Sequence, residues 1–299
     1  RPTEIDVMKP MDEIGGIYNA FTGQDFTGYF AKVQAKKLNL AVEWTADILL
    51  HALLNSKDIE KERGVIIEEI NMFYDHPMRY IWTLWNKTLY GDQPAGWDIA
   101  GEKETVTKLS RQNLCAYRQA QYTAKNTIVC VSGNFNPSVV QKLVKQNFRT
   151  INSGLPGKKL PVLENQINPH VELYQKETQQ TEIAIGVRAF NIFDPRRYAL
   201  ELLGLALGGM STSRIFEEVR IKRGLVYDVH SEILMDPDSG SLVTVANLDS
   251  NRLDEGIKVI LGEYKKAAQN GITLSELRKA KDNYIGKSAL LLESSHAQA

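Results

Sequence analysis

Apolar residues along this 299-residue chain recur with two periods, and the period switches where local structure should switch. Leu38, Val42, Ala46, Leu49 and Leu53 fall on one stripe at helical spacing, which predicts a helix over 38–55 followed by a second over 56–74 that Ser56 can cap. The stretches 17–33 and 225–247 instead alternate, as in Phe26–Val33 and Ser241–Ala246, and predict half-buried hairpins. Helices are expected over 251–270 and 273–292, the latter opened by a Thr273–Glu276 capping box. The pattern also predicts helices over 77–90, 103–119 and 137–148, and one opened by Asp194-Pro195. Strands are expected over 126–131, buried, and over 182–187.

These elements repeat. A glycine turn, a hairpin and two helices occur over 15–73 and again over 224–292, with GGIYNAF matching GLVYDVH. Tyr18 then aligns with Tyr227 at an offset of 209, and Ser56 with Thr273 at an offset of 217. INSGLPGKKLPVLENQINPH, rich in Gly, Pro and Asn, reads as a linker. The expected fold class is α+β: two homologous domains, 1–151 and 171–299, joined by residues 152–170, each with a mainly antiparallel sheet packed by helices. The copies differ at their ends. Between Val171 and Tyr227 copy two holds a strand and a helix, whereas only 17 residues precede Tyr18, and copy one runs on well past Tyr74 while copy two stops soon after Leu292. The expectation is a chain truncated on both sides, its first domain lacking one strand and one helix.

Composition narrows the function classes. With 43% hydrophobic and 24% charged residues the chain is globular, and 36 basic against 36 acidic residues argue against nucleic acid or a polybasic membrane patch as partner. No apolar run reaches the length of a membrane span. Cys115 and Cys130 have no disulfide-framework or C-x-x-C spacing, which predicts buried thiols and a reducing compartment, the cytoplasm, although periplasm or an organelle matrix also fits. His51, His76, His170, His230 and His296 are scattered, and H-x-x-E-H, H-E-x-x-H, Walker A and G-x-S-x-G motifs are absent from the sequence.

The segment EKERGVIIEEIN carries the strongest chemical signal. Glu62 and Glu69 are seven positions apart and so lie on nearly the same face of a helix, two turns from each other, bordered by Val65, Ile66 and Phe73. A carboxylate on an apolar stripe is costly unless paired or metal-bound. Two readings stand: a solvated helix whose Lys57, Lys61 and Arg63 pair with these carboxylates, or a site peculiar to the first repeat, because the second places Arg278 or Lys279 and Ile285 or Gly286 there.

ERGVIIEEI, the preceding RPT and IGGIYNAFTGQDFTGYFAKV, and the later LGGMSTSRIFEEVRIKRGLVYDVHS together resemble the inverzincin metallopeptidases: pitrilysin, insulin-degrading enzyme and the mitochondrial processing peptidase. The resemblance covers nearly the whole chain and is closest to the short two-domain members. It implies two domains facing each other like a clamshell around a peptide-sized chamber. It also implies Zn2+ held by the two histidines of H-x-x-E-H and by a later glutamate that maps to Glu69, with Glu62 as a supporting acidic residue. Glu69 is then expected to point inward. The resemblance further implies that Asn19, Ala20, Phe21 and Thr22 lie on an edge strand receiving an extended peptide by main-chain pairing, and that Arg220 and Tyr227 reach the scissile carbonyl to stabilise an oxyanion. Without it, 17–22 is an ordinary hairpin strand and Arg220 a surface arginine. The implied activity is zinc-dependent endopeptidase action on peptides or unfolded polypeptides, in a homo- or heterodimer. This chain alone, lacking H-x-x-E-H, is expected to bind no zinc and to be inactive. The rivals are a non-catalytic or substrate-presenting subunit of the same family, and a plain peptide-binding module.

Overall fold

In a computed structural model the described residues are 2–299; Arg1, which opens the resemblance, lies outside them. In chain order the first elements are helix α1 (Glu4–Asp12), strands β1 (Ile17–Thr22) and β2 (Thr27–Lys32), and helices α2 (Leu38–Leu50), α3 (Ser56–Asp75) and α4 (Pro77–Tyr90). Helices α5 (Lys103–Lys108), α6 (Arg111–Gln121) and α7 (Pro137–Asn147) follow, then β3 (Thr181–Arg188), α8 (Arg197–Gly204), β4 (Val226–Met235) and β5 (Gly240–Leu248). Helices α9 (Leu253–Asn270), α10 (Leu274–Leu291) and α11 (Ser295–Gln298) complete the chain. The fold is α+β, with antiparallel sheets, and the order hairpin, helix, helix occurs twice: β1-β2-α2-α3 and β4-β5-α9-α10.

Packing divides the chain into two compact units. One comprises residues 1–70, 99–159 and 290–299, the other 71–98 and 160–289. The second begins again at 160, inside the linker read from the sequence, but α4 belongs to the later unit and the end of the chain to the earlier one.

In the later unit β5 is the middle strand of a three-stranded sheet, order β3-β5-β4, and all nine of its residues are buried. Alternation explains this, because successive side chains leave a strand on opposite faces. Leu242, Ala246 and Leu248 pack with Leu200, Leu207 and Ile260, whereas Val243 and Val245 pack with Trp85, Leu89 and Tyr90 of α4. A run buried on both faces loses the polar half of its pattern. The bulge between Val226 and Val229 lets β4 keep register with β5 beyond it.

In the earlier unit β1 and β2 form a two-stranded antiparallel sheet with Ile17 opposite Lys32 and Thr22 opposite Thr27. The apolar stripe of α2 packs on α7, where Val42 and Ala46 meet Phe148 with Leu38, Leu49 and Leu143 around them. Helix α1 is tied to α2 by the Trp44 indole N–H, which donates to the Val7 carbonyl at 2.7 Å.

Several expectations are corrected. Helix α2 stops at Leu50 rather than 55, because Arg118 takes the carbonyls of Leu49, Leu50 and Ala52, and Arg111 that of Leu54. Position 103–119 holds two helices, since the Ser110 hydroxyl caps α6 in a box with Asn113. The strand expected over 126–131 is not formed among the described residues. No neighbouring strand pairs with it, and Ile128 is 87% exposed. The expected buried thiols are not buried either: Cys130 is exposed and Cys115 only half-buried.

Candidate functional site

The first candidate feature is the outer edge of β1. In a two-stranded sheet β1 pairs with β2 on one side, and among the described residues nothing pairs with the other. Asn19, Ala20, Phe21 and Thr22 are exposed. The Ala20 N–H donates to the Asn19 side-chain oxygen at 2.8 Å instead of to a strand. Phe21 lies across Gly28, where a Cβ would come within 2.2 Å of its ring, and meets Phe26 edge-on at 5.7 Å. Tyr18, half-buried, anchors the strand from behind by its edge-to-face contact with Trp44 and its hydroxyl bond to Asp12.

The second feature is α3. Glu62 and Glu69 are both exposed. The neighbouring cations go elsewhere: Lys61 pairs with Glu4 at 3.1 Å, and Arg63 with Glu60 and the carbonyls of Val106, Thr107 and Leu109. Pairing of Lys61 and Arg63 with Glu62 or Glu69 is therefore not what the helix uses. Glu62 lines a cavity of about 720 Å3 in the earlier unit, together with Val7, Ile48, His51, Asp58 and Ile66. Glu69 does not line it.

The third feature joins two residues that the sequence separates by seven positions. Arg220 sits in a π-helical turn, Phe216–Ile221, a geometry frequent at functional sites. The chain then reverses at Gly224 (φ 58°), a left-handed position, and enters β4 at Val226. This brings the Arg220 guanidinium to 5.3 Å from the Tyr227 ring and 5.0 Å from that of Phe216. Stacking holds the cation while leaving its N–H groups free to donate. Tyr227 is 77% exposed.

Residues 108–284 match the family description Peptidase M16 inactive domain, and residues 2–103 match Insulinase (Peptidase family M16). The chain belongs to peptidase family M16. It is 34% identical over 300 residues to an uncharacterized zinc protease of Mycobacterium leprae, covering 99% of this chain and 67% of that protein. It is 30% identical over 293 residues to the uncharacterized zinc protease YmxG of Bacillus subtilis, covering 98% and 71%. The M16 chain thus spans about two thirds of the length of these relatives. Among solved structures, a protease from Helicobacter pylori shares the fold with a TM-score of 0.87 at 24% identity, covering 97% of this chain and 72% of the other. A peptidase M16 inactive domain from Pseudomonas fluorescens gives 0.85 at 20% identity, covering 94% and 68%.

Zinc is implied by the relatives' names, and the donor set can be tested against it. A catalytic zinc takes three protein ligands and a water. Among the described residues no group of three or more His, Cys, Asp and Glu could hold a metal ion. Glu69 offers one exposed carboxylate, so these M16 residues by themselves do not fit the ion. Among the described residues no helix is long and apolar enough to cross a membrane.

One cluster escaped the sequence reading. On β4, His230 lies between Asp228 at 3.0 Å and Glu232 at 3.4 Å, and on β3 the Glu182 carboxyl is pushed up by burial and then by the Asp228 charge. The signal was the period of two in Asp228, His230, Glu232, which puts all three on one face of a strand.

Proposed function

We propose that the protein is a zinc-dependent endopeptidase of the M16 type. Its substrate is an extended peptide or unfolded polypeptide that pairs with the outer edge of β1, and Arg220 and Tyr227 donate to the oxyanion that forms as the peptide carbonyl is attacked. The observation that carries the reading is the stacked Arg220–Tyr227 pair: a guanidinium and a phenol within 5.3 Å of each other, the phenol open to solvent. Two N–H groups or one N–H and one O–H fixed before reaction cost no reorganisation when charge develops, which is why such donors are worth so much. The exposed edge of β1 supports the substrate class. Main-chain pairing reads an extended backbone of any sequence, while Phe21 and Tyr18 offer surfaces for alternate side chains. We further propose that these 299 residues alone do not hydrolyse peptides, and that the zinc-bearing form is the protein as its gene encodes it.

The test is cleavage of an unstructured peptide by the protein expressed from its whole coding sequence, with zinc measured by elemental analysis. Tyr227→Phe and Arg220→Ala are each expected to lower kcat by roughly 10²-fold with little change in KM, the mark of an interaction made in the transition state. Absence of cleavage from the whole protein would instead favour the non-catalytic subunit. A kcat unchanged from the parent protein in both variants would remove Arg220 and Tyr227 from the reaction.

A further inference from the structure

We infer that the linker does not hold the two repeats together: each compact unit is built with a segment from the other repeat, so a chain cut in the linker remains one folded particle. The later unit, which starts again at Leu160, takes in residues 71–98, and the earlier unit takes in 290–299. The exchange follows the repeat. Adding the offset of 217 that relates Ser56 to Thr273 carries Pro77, the first residue of α4, to Ser294, the cap of α11.

Helix α4 is core material for the later unit. Trp85 is 6% exposed; with Leu89 and Tyr90 it closes over Val243 and Val245 of the middle strand. Its indole N–H donates to the buried Ser241 hydroxyl at 3.2 Å. A Cβ at Gly186 would come within 2.8 Å of the Trp85 ring, so β3 is shaped to receive the indole. Arg188 binds the Leu89 carbonyl and lies 5.4 Å from the Tyr90 ring. Without α4, one face of β5 would expose two valines and leave this guanidinium without its stacking partner. The return segment is smaller but specific: His296 packs on Phe30 at 4.4 Å and Ser132 donates to Gln298 at 3.0 Å. The linker, by contrast, has no helix or strand from 155 to 170, and Leu155, Gly157, Lys158 and Leu160 are exposed. Val162 already packs with the later core, so the cut belongs before it, between Gly157 and Lys158, where the chain is exposed.

The experiment uses the full chain with a site for a sequence-specific protease inserted between Gly157 and Lys158. All four tryptophans, Trp44, Trp82, Trp85 and Trp97, precede the cut, so in a chain whose other three are replaced by Phe the emission of Trp85 reports whether α4 stays in place. After complete cleavage at micromolar concentration, the two fragments are expected to elute and weigh as one particle, with the blue-shifted emission of the uncut chain. Leu89→Ala is expected to weaken their association by at least about tenfold, as for a buried anchor. Val243→Ala, on the strand opposite, is expected to act in the same direction and covers the case in which Leu89→Ala does not fold. The inference is overturned if the cut fragments separate without denaturant. It is equally overturned if they stay together while Trp85 emission shifts to that of exposed indole, or if both substitutions leave association unchanged.

Discussion

At position 208 there is no room for a side chain. A Cβ there would stand 1.9 Å from the Ser231 hydroxyl and 2.6 Å from its Cβ. Ser231 cannot retreat, because it is bonded to Thr244 at 2.7 Å, which in turn is bonded to the Tyr264 hydroxyl at 2.9 Å, a phenol whose pKa is pushed up to about 12 by burial. Gly208→Ala is therefore expected to destabilise by about 1–3 kcal/mol through overpacking, read as a lower urea midpoint at unchanged slope. An unchanged midpoint would mean that the π-helical turn Leu205–Gly209 slides at no cost. The reason for the glycine, a serine on a strand 23 positions later, is not written in the local sequence. Glu276 makes a second case. Its carboxylate accepts two bonds from Arg214, at 2.5 and 2.7 Å, and others from Thr273, which together hold its pKa down to about 2 from 4.5. A carboxyl whose folded pKa lies below the unfolded value stabilises the fold fully above about pH 4.5, and that contribution is lost as pH falls toward 2. Glu276→Gln is expected to lower stability at pH 7, with the gap to the parent protein closing as the unfolding curves are repeated at pH 4, 3 and 2. A gap independent of pH would assign the loss to packing and not to charge.

At the level of elements, the predicted helices and hairpins formed where the pattern came from neighbours in sequence, and failed where a distant group decided the end. The stripe of α2 was readable because Leu38, Val42, Ala46 and Leu49 pack with Leu143 and Phe148 at the end of α7, but its termination depends on Arg118, which no local signal announces. Beyond it Leu54 adopts a left-handed conformation (φ 49°), uncommon for a residue with a branched side chain, with its carbonyl held by Arg111 at 2.7 Å. The break at Ser110 was written locally as a capping box with Asn113, yet the apolar rhythm on either side concealed it. Residues 126–131 have the composition of a strand without a partner to pair with, and composition alone does not make a ladder. The edge of β1 offers the sharpest element-scale prediction. Proline is tolerated on an edge whose N–H faces away from the ladder, and the Ala20 N–H is engaged only with the neighbouring Asn19 side chain. Ala20→Pro is expected to keep the thermal midpoint of the protein while weakening peptide binding by about tenfold, since one main-chain donor of the pairing is gone. A folded proline variant that leaves peptide binding intact would move the peptide to a different surface.

Across the whole molecule, the twofold repetition was the most legible property, because two copies of one pattern check each other; the family came instead from the resemblance of three motif segments. What repetition could not show was which unit each helix completes: α4 follows the first hairpin in sequence but buries Trp85 against Val243 and Val245 of the second. The same limit applies to the site. Arg220 and Tyr227 were paired only through the family resemblance, and their stacking was supplied by the fold; the exposure of Glu69 was not legible, because a helix pattern gives a direction around the axis without saying what stands there. Charge supplies the last prediction. With 36 basic and 36 acidic residues the molecule has no net field to steer a charged ligand. Arg63, Arg118, Arg188 and Arg214 are committed to carbonyls or carboxylates inside their units. If the peptide is held by main-chain pairing at β1, its affinity should therefore change by less than about threefold between 50 and 500 mM salt, a range over which binding through several exposed ion pairs would fall far more steeply. Titration of one uncharged peptide and one carrying several lysines, at both salt concentrations, measures this directly. A steep loss confined to the lysine peptide would place recognition on an acidic face such as that of Asp228 and Glu232, and a steep loss for neither would leave the edge of β1 as the surface that reads the backbone.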